Sequence, residues 1–422
     1  MVSPVPVASA VDPGPLTQAQ IGAVAEEVLS NTRVIDMHTH LFAPSFGELG
    51  LWGIDNLLTY HYLEAELFRF SPIRPSGYGT LSRKAKADLI WKTLFVENAP
   101  LSEAARGVIA VLQSLGLDSN VTTLEPLRAF FRQQDLESYL PLVLERAGVS
   151  SVVLTNDPLD PAEAAFWQRP AEPDPRFRAA LRLDRVLNHW DDHHQQIAAQ
   201  GYAVDHDASS PGELRRFLED WCSRMNPAYM AVSLPDSFQY AAIDVRNRLL
   251  TDAVLPTCRE LNLPLALMIG VRRQVNPALL LAGDASGRAD LRSLETLCTS
   301  FPDNRFLVSV LSRENQHELC VYARKFANLL PFGCRSFLNN SSVVEEITRE
   351  RLEMLGASFI AQNSDARVLE QLIYKWHNTR RNMAPLIAAQ FQLLAADGRA
   401  VRRSDIEATV TRLFRGNFEA WT

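Results

Sequence analysis

A chain of 422 residues, 47% apolar and 22% charged, is long enough to bury a large core without disulfide staples. Its net charge of −7, with no basic run and no basic patch interleaved with aromatics, argues against nucleic acid as a partner. No stretch approaches the ~18 uninterrupted apolar residues of a membrane span. The five cysteines (Cys222, Cys258, Cys298, Cys320, Cys334) are odd in number and lack C-x-x-C spacing, so they read as reduced core thiols of a soluble, cytoplasmic protein.

In chain order, the opening to about residue 15 is rich in Pro, Val and Ala and reads as disordered or loosely docked. It has no cationic run ahead of an apolar one and is not expected to be a secretory signal. "LTQAQIGAVAEEVLSN" then predicts a helix capped by Thr17, with Ile21, Val24, Val28 and Leu29 on one stripe, so that 1–30 make a tail and a helix. "VIDMHTH" (34–40) is the first of eight strand candidates. After it, more than a hundred residues read as largely helical, among them "IDNLLTYHYLEAELFRF", "LSRKAKADLIWKTLFVE" and "PLSEAARGVIAVLQSLG". A structureless loop of that length is implausible, and 44–148 is expected to be an inserted helical subdomain.

The remaining strand candidates are "VSSVVLTND" (149–157), "FRAALRLD" (177–184), "AYMAVSLP" (228–235), "PLALMIGV" (264–271), "RFLVSVLS" (305–312), "LLPFGC" (329–334) and "ASFIAQNSD" (357–365). Helical segments such as "PGELRRFLEDWCSRM" and "SVVEEITRERLEML" separate most of them. Strands buried on both faces and alternating with helices imply a parallel sheet. Eight such units are the count of an α/β (β/α)8 TIM-type barrel, assembled from 31–43 and 149–422. An open doubly wound sheet competes, but no G-x-G-x-x-G follows any strand.

Chemistry concentrates at the strand ends. His38 and His40 stand at i and i+2, so on a strand both leave the same face. With nine histidines in the chain, an H-x-H pair arises by chance in roughly one such chain in five. Position is therefore the stronger clue: the pair sits where a barrel's first strand meets the active-site rim and could clamp a divalent metal. The bland alternative is two satisfied core histidines. A carboxylate should converge on such a pair, and the best placed is Asp365, at the end of the eighth strand. Its other reading is a helix N-cap.

Further candidates are less specific. His61 and Tyr62 lie on the first inserted helix and could equally be ordinary amphipathic residues. Arg182 ends an apolar strand, paired either with an internal carboxylate near Asp184 or with an anionic ligand. Arg367 could reach the same pocket or cover the rim. The fourth strand lacks a lysine, and strands five and six end without histidine, so a two-metal site cannot be assembled from them.

The sequence resembles the uronate (glucuronate) isomerase family of the amidohydrolase superfamily. The resemblance rests on "DMHTHL", "LLTYHYLEAELFR", "VVLTNDPLD", "AALRLDRVLN", "MIGVRR", "LSRENQHEL" and "SDARVLEQLIYKW", in order from about 34 to 380. It implies a metal-binding (β/α)8 barrel with a helical insertion after strand one, and reversible isomerisation of glucuronate to fructuronate and galacturonate to tagaturonate. By position it also implies His38, His40 and Asp365 as ligands of one divalent metal, usually zinc. Asp365, His61, Tyr62 and Arg367 would stand at the reacting end of the sugar, and Arg182 near the substrate, where it is the natural partner of the uronate carboxylate.

Two departures bear on substrate. Many members carry a histidine at the end of strand five, where this chain has Met268, and a Trp-Trp pair after strand seven, where it has Arg335 and Ser336. Aromatic rings pack on sugar faces, whereas arginine and serine offer charge and hydrogen bonds, which makes Arg335 a substrate-binding candidate and leaves the preferred uronate open. Two rivals stay open as well: a mononuclear metal-dependent hydrolase or decarboxylase of a small carboxylate, and a non-catalytic sugar-acid-binding barrel. The implied partner is a small-molecule uronate, and enzymes of this size commonly form homo-oligomers.

Overall fold

The apolar runs fold as strands because each is covered on both faces. The computed structural model describes residues 14–168, 174–334 and 336–422; the first 13 residues of the expected loose tail lie outside them. The strands are β1 (Val34–Thr39), β2 (Val149–Asn156), β3 (Phe177–Arg182), β4 (Met230–Pro235), β5 (Leu265–Arg272), a two-residue β6 (Ala285–Ser286), β7 (Phe306–Val310) and β8 (Leu329–Pro331). Seven pair in parallel as a curled sheet in the order β1-β2-β3-β4-β5-β7-β8, while β6 turns back antiparallel on β5. Registers such as Met230↔Leu265 and Phe306↔Leu329 follow from matching apolar residues across neighbours.

One face of the sheet closes over Ile35, Met37, Val153, Ala180, Ala231, Met268, Leu307, Leu330 and Phe332, with Phe418 packed among them. The other face is covered by helices; Phe217 and Trp221 of the helix Pro211–Met225 pack with Leu181, Val232 and Leu267. Trp221 is fully buried, and truncating such an aromatic costs about 3–5 kcal/mol.

The expected eighth strand is corrected by the structure. Residues 357–365 form an irregular segment carrying a single bridge, Phe332↔Ile360, rather than a strand. Its backbone nevertheless reaches both sheet edges. Ile360 N–H donates to the Pro331 carbonyl at 3.0 Å, Asp365 N–H to the His38 carbonyl at 3.2 Å, and His40 N–H to the Ala366 carbonyl at 2.7 Å. The buried Asp36 carboxylate reinforces the junction by accepting from Ser364 N–H at 3.1 Å and Trp376 Nε1–H at 2.9 Å. Burial pushes that carboxyl up to about 6.

Between β1 and β2 the chain is helical, as its periodicity predicts, with helices at Ile54–Leu58, His61–Phe70, Arg83–Trp91, Glu103–Ser114, Glu125–Arg132 and Leu136–Ala147. Starts are set by Ser82, Ser102 and Asp135, whose side chains accept the third backbone N–H of the following turn. "IDNLLTYHYLEAELFRF" does not run as one helix. It breaks at Thr59–Tyr60, and Tyr60 is extended, so His61 and Tyr62 open a new first turn.

The first helix spans Gln18–Asn31, and Thr17 N–H donates to Gln20 Oε1 at its start. It packs against the long helix Gln371–Ala396, whose Arg380 caps carbonyls of two helix ends at once: Leu29 and Thr32 on one, Ala147 and Gly148 on the other. Gly148 adopts φ +63° there, and a Cβ would meet that guanidinium. Among the described residues no helix is long and apolar enough to cross a membrane.

Candidate metal centre

β1 slips its register at the first of the two histidines. Between Asp36 and Thr39 three steps on β1 match two on β2 (Val152 to Leu154), an irregularity of the bulge type that re-aims side chains. The rings of His38 and His40 then stand edge to face, with centroids 5.3 Å apart. From the opposite side Asp365 presents Oδ1, 3.6 Å from His38 Nε2 and 3.2 Å from His40 Nε2. One ligand atom from each of the three lies within 4.8 Å of the others.

Asp365 does not act as an N-cap. The helix that follows begins at Gln371 with Glu370 at its cap position. Asp365 instead adopts φ +54°, a left-handed conformation that aspartate tolerates better than most residues and that a local constraint can fix. Its backbone bond to His38 and the Ser336 hydroxyl, which donates to Asp365 Oδ2 at 3.0 Å, supply that constraint. Ser336 thus stands on the carboxylate of the cluster. Arg335, the other half of the replaced aromatic pair, lies outside the described residues.

Two further hydroxyls touch the rings. Thr155 Oγ1, at the end of β2, is 3.0 Å from His40 Nδ1, and Tyr229 Oη, just before β4, is 3.3 Å from His38 Nδ1. Sequence reading passes over both. Their only signal was a polar atom in an otherwise apolar buried run.

The electrostatics favour neutral imidazoles. Burial lowers His40 to about 4, with help from the Arg367 charge and opposition from Asp365. His61 is lowered to about 3 by burial, then Arg367. At neutral pH each offers a lone pair rather than a charge, as metal ligation or proton relay requires. The rings of Tyr60, His61 and Tyr62 cluster as a triangle, with His61 4.1 Å from Tyr60 and 4.4 Å from Tyr62, and Tyr62 reaches Phe337 at 6.4 Å. The same fields act on the buried Tyr60, whose phenol burial holds well above its ordinary value, with Asp365 and Arg367 among the nearby charges. Tyr60 packs against His61, a neighbour that sequence reading missed.

Arg367 is half-buried, and among the described residues no carboxylate pairs with it. Arg182 differs. Its Nε and Nη2 donate to Asp184 at 2.9 and 3.3 Å. Burial opposes the guanidinium charge, but Asp184, Asp157 and Glu163 outweigh it. Glu163, which accepts from Asn156 Nδ2 and Asp157 N–H at 3.0 Å each, is itself raised by burial to about 7. The positive field of Arg182 still reaches His40. Met268 is buried in the middle of β5 rather than at its end.

Two neutral imidazoles and one carboxylate, converging from the first strand and the segment beside it, are a donor set suited to a single borderline divalent cation. A uronate isomerase from Bacillus halodurans C-125 is 45% identical over 96% of this chain and 97% of that chain, with a TM-score of 0.94. A uronate isomerase from Thermotoga maritima superposes with a TM-score of 0.75 at 16% identity, covering 96% of this chain and 99% of that one. A glucuronate isomerase from Caulobacter crescentus does so at 0.69 and 14%, covering 98% and 95%. The last two show a shared fold. No protein-family model and no curated relative matches the chain.

Proposed function

The chain belongs to the uronate isomerase family, and from that premise we propose that it interconverts aldose and ketose uronates, glucuronate with fructuronate and galacturonate with tagaturonate, using one zinc ion held by His38, His40 and Asp365. The observation that carries this reading is the convergence of those three side chains within 4.8 Å. The segment 359–366, bonded to β8 and β1, would close the sheet of 31–43 and 149–422 into a (β/α)8 barrel, with the helices of 44–148 roofing its rim. The five buried free cysteines suit a reducing, cytoplasmic setting.

A divalent cation bound there would supply Lewis acidity to the sugar oxygens on which charge develops. The chain's own groups account for the rest. Isomerisation removes a proton from C2 and returns one to C1 while a hydroxyl proton moves between O2 and O1. Asp365 is placed to accept and return the carbon-bound proton through Oδ2, the oxygen turned toward Ser336. His61, neutral at working pH, can hold or pass a hydroxyl proton, with Tyr62 beside it. Arg367 offers a cation at the reacting end. Arg182 spends Nε and Nη2 on Asp184 and has Nη1 left to meet the substrate carboxylate.

The test is direct. Zinc-loaded protein is incubated with glucuronate and with galacturonate in deuterated water, and products are followed by NMR. Ketose formation with deuterium delivered at C1 supports the proposal; absence of turnover of both sugars by metal-loaded protein overturns it.

A further inference from the structure

We infer that Thr155 and Tyr229 are positioning residues that decide which nitrogen of each candidate ligand histidine carries its proton, and so turn both Nε2 lone pairs into the cluster. The inference rests on the metal-binding reading above. Each hydroxyl has one proton to give. Thr155 Oγ1 stands 2.8 Å from the Thr39 carbonyl and 3.0 Å from His40 Nδ1. A carbonyl can only accept, so the hydroxyl donates there and offers the ring a lone pair. His40 Nδ1 must then carry a hydrogen.

The arrangement repeats at the neighbouring ligand. Tyr229 Oη donates to the Met37 carbonyl and lies 3.3 Å from His38 Nδ1, which is again left as the donor. In both cases the carbonyl belongs to the residue just before the histidine. β1 thus presents two equivalent carbonyl and imidazole pairs, and one hydroxyl from β2 and one from the entry to β4 bridge them.

The consequence lies on the far side of each ring. With hydrogen on Nδ1, both Nε2 atoms face Asp365 Oδ1 as lone pairs, at 3.6 and 3.2 Å. Three electron-rich atoms aimed at one another repel unless a cation sits among them. Were the hydrogens on Nε2, both rings would donate to Asp365 and the cluster would close on itself as a hydrogen-bonded triad. Both hydroxyl residues are buried, Tyr229 completely, so water does not compete for these bonds.

The test compares full-length wild type with Thr155→Val, Thr155→Ser and Tyr229→Phe. Zinc dissociation constants are measured by competition with a chromophoric chelator, and ring nitrogen-15 spectra of the zinc-loaded proteins report the Nδ1–H bonds. Thr155→Val and Tyr229→Phe should weaken zinc binding about 10- to 100-fold, the range seen when the partner of a ligating histidine is lost. Thr155→Ser, which keeps the hydroxyl, should bind like wild type. In Thr155→Val only the His40 Nδ1–H signal should move, a selectivity that general loosening of the fold would not produce. Unchanged affinity in both hydroxyl-free variants, with wild type binding zinc tightly, overturns this inference alone. A wild type that takes up no zinc overturns the metal reading and this inference with it.

Discussion

Replacing Arg182 by alanine removes a guanidinium that holds Asp184 through two hydrogen bonds of 2.9 and 3.3 Å. The two side chains are 28% and 12% exposed, Asp184 being buried and Arg182 partly so, and the cost of breaking a fully buried pair is an upper bound here. Removing one partner of such a pair costs about 3–5 kcal/mol, because the survivor is left charged and unpaired. Asp157 and Glu163 share the same field and would sharpen the deficit. At about 2.1 cal/mol/K per residue, 422 residues carry an unfolding entropy of roughly 0.9 kcal/mol/K, so the melting temperature should drop by at most about 3–6 °C.

The pH dependence follows from Asp184. Burial pulls its pKa upward, but Arg182 outweighs burial and leaves it below the ordinary carboxylate value. The pair's contribution is therefore present above the unfolded pKa of about 3.9 and is lost as pH falls through the folded value. Without Arg182, burial is opposed only by the Arg273 charge and the Ser233 N–H, so the folded pKa rises, and the deficit of Arg182→Ala should be largest at neutral pH and shrink toward about pH 4. Adding Asp184→Asn removes the stranded charge and should restore most of the melting temperature. Catalysis should not return with it: losing one charge-assisted hydrogen bond to the substrate carboxylate, about 1.5–3 kcal/mol, lowers kcat/KM roughly 10- to 100-fold in single and double variants alike. Scanning calorimetry across pH, beside steady-state kinetics, reads both quantities. A double variant that recovers stability and turnover together would refute the substrate role and leave Arg182 purely structural.

His38→Ala and Asp365→Ala should each lose bound metal and turnover together, checked by elemental analysis and the NMR assay; full activity in metal-free Asp365→Ala protein would contradict the proposed mechanism. Glu370 is completely buried, accepts Gly53 N–H at 2.8 Å, and is raised by burial to about 7. Its folded pKa lies above the unfolded one, so the folded state holds the extra proton and stability falls as pH rises from about 4.5 to 7. Glu370→Gln should therefore melt above wild type at pH 8 but not at pH 5, and an equal difference at both would rule out this linkage. Gly148→Ala puts a Cβ 2.4 Å from an Arg380 nitrogen at φ +63°; the left-handed conformation alone costs about 1–2 kcal/mol, so chemical denaturation should show at least that loss, and an unchanged midpoint would count against the crowding.

By itself the sequence determined where β1 to β5, β7 and β8 lie, because a strand buried on both faces must be a continuous apolar run and leaves a signature that needs no partner to be read. It determined that His38 and His40 share a face, since that depends only on a two-residue period. The Arg182–Asp184 pairing was legible too, being two residues apart at a strand end. What only the tertiary structure decided are relations between distant points of the chain. Asp365 looks equally like a helix cap in sequence; it becomes the third member of the cluster because its left-handed turn is held by His38 and Ser336. Residues 357–365 have strand composition yet make one bridge, since their backbone also bonds to β1 and to the Leu413 carbonyl instead of forming a regular ladder. Thr155 and Tyr229, 115 and 191 residues from the rings they touch, carry no local mark of that contact. Local propensity constrains neighbours along a chain, whereas a hydroxyl beside an imidazole is a product of strand order and register, which exist only once the sheet has formed.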